Sequence, residues 1–209
     1  MDLIMTGIEF FHKGGSVIYV LLLCSMFVVA IAIERSMYFK MADAGRSFGR
    51  KFADLMSQGQ GEEAADLAKN TKGALPSLLA KGLAFDGSEH VSLHTFFEVQ
   101  SGIALARFRK RLYYLNVIVT MAPLLGLLGT ISGMISAFSV FNLESGQATA
   151  ITGGVGEALI ATAMGLCTAI IALAVHAYFV QRIDSIVSDM EMCFSLAEGM
   201  AEEREYDAD

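Results

Sequence analysis

Two threonines and one glutamate stand out inside a pair of apolar segments. Thr130 lies in the first, residues 113–141; Thr162 and Glu157 lie in the second, residues 155–181. A hydroxyl in an apolar span can bond a carbonyl one turn back on its own helix. If both faces point at a common axis, the hydroxyls instead form a polar ring at mid-depth. Such a ring can hold water or accept a bond from a partner's carboxyl. Glu157 is the one acid in either segment. At a bilayer centre a carboxylate costs about 2.5–3.5 kcal/mol on insertion scales, or is neutralised by a raised pKa. Near the outer end of its segment Glu157 has two readings. One is an interfacial residue favoured by a helix N-terminal dipole; the other is a proton-relay or pore-mouth group. His176, near the inner end of the same segment, is a second relay candidate. Neither segment holds an Asp. A proton-driven machine needs a group that is alternately protonated and ionised in the membrane, so here that carboxylate is expected on another subunit. No paired carboxylates, nucleophile–base pair or metal-ligand cluster suggests an enzyme, a cofactor or a metal site. Cys24, Cys167 and Cys193 are widely spaced and read as small apolar fillers.

The elements that must hold these residues are membrane helices. Both segments exceed the roughly 20 apolar residues that cross a bilayer. In lipid, small residues and interhelical hydrogen bonds must hold helices together. Gly126, Gly129 or Thr130, Gly133 and Ala137 recur at three or four residues, as do Ala158, Thr162, Gly165, Ala169, Ala172 and His176. These stripes read either as tight packing within one bundle or as the wall of a pore or partner socket. Pro123 deprives the Val119 carbonyl of its usual donor and favours a kink.

Positive mean hydropathy, no Trp and two Pro mark a polytopic all-α membrane protein. Residues 1–15 suggest an amphipathic surface helix ended by Gly14-Gly15. Residues 16–35 form the first membrane helix, with Ser16 to Ile33 uncharged and Glu34-Arg35 closing it. Twelve of the 15 Lys and Arg fall between Glu34 and Leu112, and none between Asn142 and Gly154. The positive-inside rule therefore puts the N-terminus outside, residues 36–112 in the cytoplasm, 142–154 in a short outer loop and 182–209 back in the cytoplasm. Within 36–112, short helices are expected at about 43–58, 62–69 and 76–85. From Leu93 a helical stripe is expected to run without a breaker into the span at 113–141. Arg107, Arg109, Lys110 and Arg111 would meet anionic lipid headgroups there, as a topology anchor or a specific lipid site. The third span is expected to project beyond the membrane and fray over Glu202 to Asp209. No basic face with interleaved aromatics points to nucleic acid, and the net charge of −7 comes largely from the tail.

These residues resemble the MotA/TolQ/ExbB proton-channel family, most nearly its short three-span TolQ and ExbB members. The similarity rests on Glu34-Arg35, on Ala122-Pro-Leu-Leu-Gly-Leu-Leu-Gly-Thr130 with Gly133-Met-Ile and Ala137-Phe138, and on Glu157-Ala-Leu-Ile-Ala-Thr162-Ala-Met-Gly-Leu166. The resemblance implies a ring: a homopentamer in the cell inner membrane around two single-span subunits of the ExbD/TolR type, whose helix carries the Asp. Thr130 and Thr162 would line the lumen, with Glu157 facing the pathway. Proton flow would energise a TonB- or TolA-like protein for transport or envelope maintenance. Two departures are visible: Ala169-Ile170 is followed by Ile171 where the family often has Pro, and His176-Ala177 stands where an Asn is common. The rival expectation is a non-conducting membrane scaffold that stabilises a single-span partner.

Overall fold

The structure is a computed structural model that describes residues 15–85, 92–141 and 148–208, with side chains over 16–85, 92–138 and 153–201. These residues fold as helices: α1 (Gly15–Ala42), α2 (Arg46–Ser57), α3 (Gly61–Asn70), α4 (Ala74–Leu83), α5 (Leu93–Arg109), α6 (Leu112–Phe141) and α7 (Ala148–Ala208). The fold is all-α among the described residues. Three helices, α1, α6 and α7, include stretches long and apolar enough to cross a bilayer. The 30 residues of α6 rise about 45 Å, against a hydrocarbon core of about 30 Å. The expected amphipathic helix at 1–15 lies almost wholly outside the described residues.

The chain divides into two compact units. The first holds residues up to Ile33 together with Arg111–Tyr178. Its part of α1 buries Ile18, Leu21, Val28 and Ile31, a spacing of three, seven and three that keeps one face inward. Tyr19, Leu23, Met26 and Phe27 are exposed on the rest of that helix. Phe27 meets Tyr114 edge to face, with ring centroids 6.3 Å apart. From α6 the unit buries Leu115, Ile118, Ala122 and Ala137, and from α7 Ala158, Ala161, Ala169 and Ala172. The inward residues of both long spans are thus mostly small.

The second unit holds Glu34–Lys110 and Phe179–Asp209. Its core is aromatic. Phe39 stacks on Phe108 and on Phe179 at 5.6 and 5.4 Å, and Phe97 stacks on Phe194 at 4.2 Å. The α4 chain admits Phe97 because Gly82 has no side chain; a β-carbon there would strike the ring. The amphipathic α2 inserts Phe48, Phe52 and Met56, while this part of α7 buries Phe179, Ile183, Ile186, Met190, Cys193, Phe194 and Ala197. The turn between α1 and α2 is fastened by polar bonds. Asp43 accepts from the Gly45 amide at 2.7 Å, an Asx-type turn with Gly45 at φ 79°, and pairs with Arg182 of α7 at 2.6 Å. Arg46 donates to Ser185 at 3.0 Å. Asp189 sits beside this cluster, its carboxyl raised from the ordinary range by burial while Arg46 opposes the shift.

Two sequence expectations are corrected. The stripe from Leu93 does not run unbroken into the span: α5 stops at Arg109, Lys110 turns to ψ 132°, and Arg111 takes φ 73°. The α7 helix begins at Ala148, within the segment expected as an outer loop, and Gly154 near its start takes part in the close approach to α6 described below. The same helix continues to Ala208.

Candidate functional site

The small-residue stripes of α6 and α7 face each other, antiparallel, in the first unit. A β-carbon built on Gly126 would lie 3.1 Å from the Ala161 carbonyl and from Thr162 Cα. One on Gly165 would lie 2.6 Å from the Ala122 carbonyl, and one on Gly129 2.5 Å from the Ala161 β-carbon. Further along, Gly133 meets Ala158 at 3.1 Å, and Gly154 meets the Ala137 β-carbon at 2.6 Å. An added carbon would collide at Gly129, Gly154 and Gly165 and be tight at Gly126 and Gly133. This is how helices associate where lipid offers no hydrophobic drive between them. The glycines flagged in the sequence, Gly126, Gly129, Gly133 and Gly165, all lie in this seam. Gly154 and Ala161 belong to it too. Sequence reading missed Gly154 because it was assigned to a loop, although it stands four residues before Ala158 and so continues the stripe. Pro123 lies inside α6, which continues past it.

The threonines meet the seam differently. The Thr162 hydroxyl donates across it to the Gly126 carbonyl at 3.1 Å. In an α-helix that carbonyl is also the acceptor for the Thr130 amide four residues on, and a carbonyl has two lone pairs for the two donors. One acceptor therefore ties the α7 hydroxyl to the turn that carries Thr130. The Thr130 hydroxyl itself bends back to the Leu127 carbonyl at 2.6 Å. So the cross-helix bond engages Thr162, and Thr130 follows the local alternative that membrane threonines share. Glu157, on α7 next to Ala158, is half-buried, five residues and about 140° around the helix from Thr162. His176 is also half-buried. The anchor residues Arg107, Arg109, Lys110 and Arg111 are all exposed, while Phe108 among them is buried.

One charged residue at a span end holds more contacts than its place in the sequence suggests. Arg35 is buried, 3% exposed, in the second unit. Its guanidinium holds Glu34 through two bonds, at 2.7 and 2.9 Å, and donates through Nη1 to the carbonyls of Arg107 and Phe108 at 3.2 and 3.5 Å. It also lies 4.8 Å from the Tyr38 ring centroid. The signal was the Glu34-Arg35 dipeptide ending an uncharged run; the partners, more than 70 residues on, leave no local trace. No group of three potential metal ligands occurs among the described residues.

Three long apolar helices and a glycine seam define a multi-pass helical membrane protein. The profile of the MotA/TolQ/ExbB proton channel family matches residues 70–192. The putative biopolymer transport protein ExbB-like 1 of Synechocystis is 32% identical over 88% of this chain and 77% of its own. Its ExbB-like 3 protein is 28% identical over 92% and 97%, and the biopolymer transport protein exbB1 of Vibrio cholerae is 29% identical over 77% and 73%. The chain belongs to the MotA/TolQ/ExbB proton channel family.

Proposed function

We propose that this chain is the ring subunit of a proton-channel motor of the ExbB/TolQ type in the cell inner membrane, with its N-terminus outside. Five copies enclose two single-span subunits of the ExbD/TolR type, and the partner helix supplies the Asp that carries the proton. The chain is not an enzyme. Its hydroxyls and Glu157 furnish the polar side of the path, and the work passes to a TonB- or TolA-like protein. One proton crossing 100 mV yields about 2.3 kcal/mol, so a large mechanical step takes several. The observation that carries this reading is the shared Gly126 carbonyl. It joins Thr162 to the turn that carries Thr130, so a hydroxyl-bearing turn of each span meets at one place in the seam.

The test is proton flux in vesicles holding the chain with an Asp-bearing single-span partner. Thr130→Val with Thr162→Val should abolish flux while the complex still purifies intact, and serine at both positions should restore much of it. Unchanged flux in the valine pair would take the two hydroxyls out of the path, and no flux from the intact unsubstituted complex would favour the second reading, a non-conducting scaffold. That reading has its own support: the glycine stripes are engaged within one chain, and the Thr162 hydroxyl has a partner there.

A further inference from the structure

We infer that Arg35 is the positioning residue that keeps α5 and α6 from being one helix, and so sets where the second span begins. The chain from Arg107 to Leu112 reads Arg-Phe-Arg-Lys-Arg-Leu. It has no Gly, Pro or Asn, and its Arg, Lys and Leu residues are strong helix formers. Local preference therefore calls for an unbroken helix. The chain breaks there all the same, and Arg111 takes a left-handed φ of 73° without being glycine. Such a conformation persists only where surroundings impose it.

The carbonyls identify what imposes it. In a continuous helix the carbonyls of Arg107 and Phe108 would accept the amides of Arg111 and Leu112. The ψ of 132° at Lys110 turns the next amide out of helical register. Arg35 Nη1 reaches those same two carbonyls, at 3.2 Å and, at the long limit, 3.5 Å. The guanidinium stands in for the two amides, and its positive charge suits a helix C-terminus. It is aimed there from the other side: Glu34 grips Nε and Nη2, and the face lies over Tyr38. Without Arg35 the two carbonyls lose their donor. The nearest replacements are the amides of Arg111 and Leu112, which become available when α5 runs on into α6 and Arg111 leaves its left-handed state. This inference does not depend on proton conduction.

The experiment is amide hydrogen exchange on the full chain in lipid nanodiscs, read on peptides covering 109–114. Arg35→Leu should slow exchange at Arg111 and Leu112 by about tenfold or more, since helical amides open rarely. Adding Arg111→Gly should return fast exchange, because glycine takes positive φ freely. An arginine that merely stabilised the fold would, on removal, speed exchange at these amides. Unchanged or faster exchange in Arg35→Leu, with peptides of α5 and α6 still protected, would overturn the inference. Should that variant fail to fold, Arg35→Lys decides. A lysine is a point charge that cannot serve the carboxylate and both carbonyls together, so partial slowing supports the inference and wild-type exchange refutes it.

Discussion

Gly165 and Gly153 are both glycines of α7, and alanine should separate them. At Gly165 the added carbon falls 2.6 Å from the Ala122 carbonyl and 3.0 Å from Gly126 Cα, both backbone atoms that move only with their helix. Gly165→Ala should lower stability by about 1–3 kcal/mol or more, the range for overpacking. At Gly153 and Gly156 nothing lies within 4 Å. There alanine should be neutral or gain about 0.5–1 kcal/mol from helix preference. Thermal melting of the three variants in one detergent checks the order. Cys193 gives a second residue-scale expectation. Burial pushes its thiol up to about 12, so at pH 8 about one molecule in ten thousand carries the thiolate that reagents attack. Maleimide should leave Cys193 unmodified in the folded chain and label it after denaturation, as peptide mass spectrometry would report. Labelling at equal rates in both states would contradict the burial.

Between elements, His94 in the first turn of α5 faces Glu198 of α7 at 3.2 Å. The hydrogen bond to Glu198 and then its charge raise the His94 pKa above the ordinary 6.5, with Glu98 adding to the effect. The contribution is fully present below about pH 6.5 and is lost as pH rises through the higher folded value. His94→Gln should therefore lower the melting temperature at pH 6 and barely change it at pH 8.5. A difference that grows toward high pH would reverse the assignment. At this scale sequence reading was good for spans and poor for joints. Uncharged runs such as Ser16 to Ile33 announce helices because lipid leaves backbone no other partner. The stripes through Gly126 and Gly165 were legible because helical period is local. Their mutual engagement was not, since packing within the chain and packing against a partner demand the same small residues. The joint at Arg111 was hidden outright: every residue there favours helix, and its determinant lies more than 70 positions earlier, at Arg35.

For the whole molecule, the uneven basic residues make a topological prediction. With 12 of 15 Lys and Arg between Glu34 and Leu112, a phosphatase reporter inserted after Gln60 should stay silent. One inserted after Ser145 should be active outside the membrane. The opposite pattern would invert the orientation. The α6–α7 contact governs how the protein can drift. The two rods touch through hydrogens and methyls, so their bulk, Leu124, Leu127, Ile131 and Ile135 on one and Leu159, Leu166 and Ile170 on the other, is turned outward. Trading one greasy side chain for another on that perimeter leaves this contact untouched, whereas a single extra carbon inside pries the rods apart. A water-soluble domain is wounded chiefly by losing atoms from its interior; this pair of helices is wounded by gaining them.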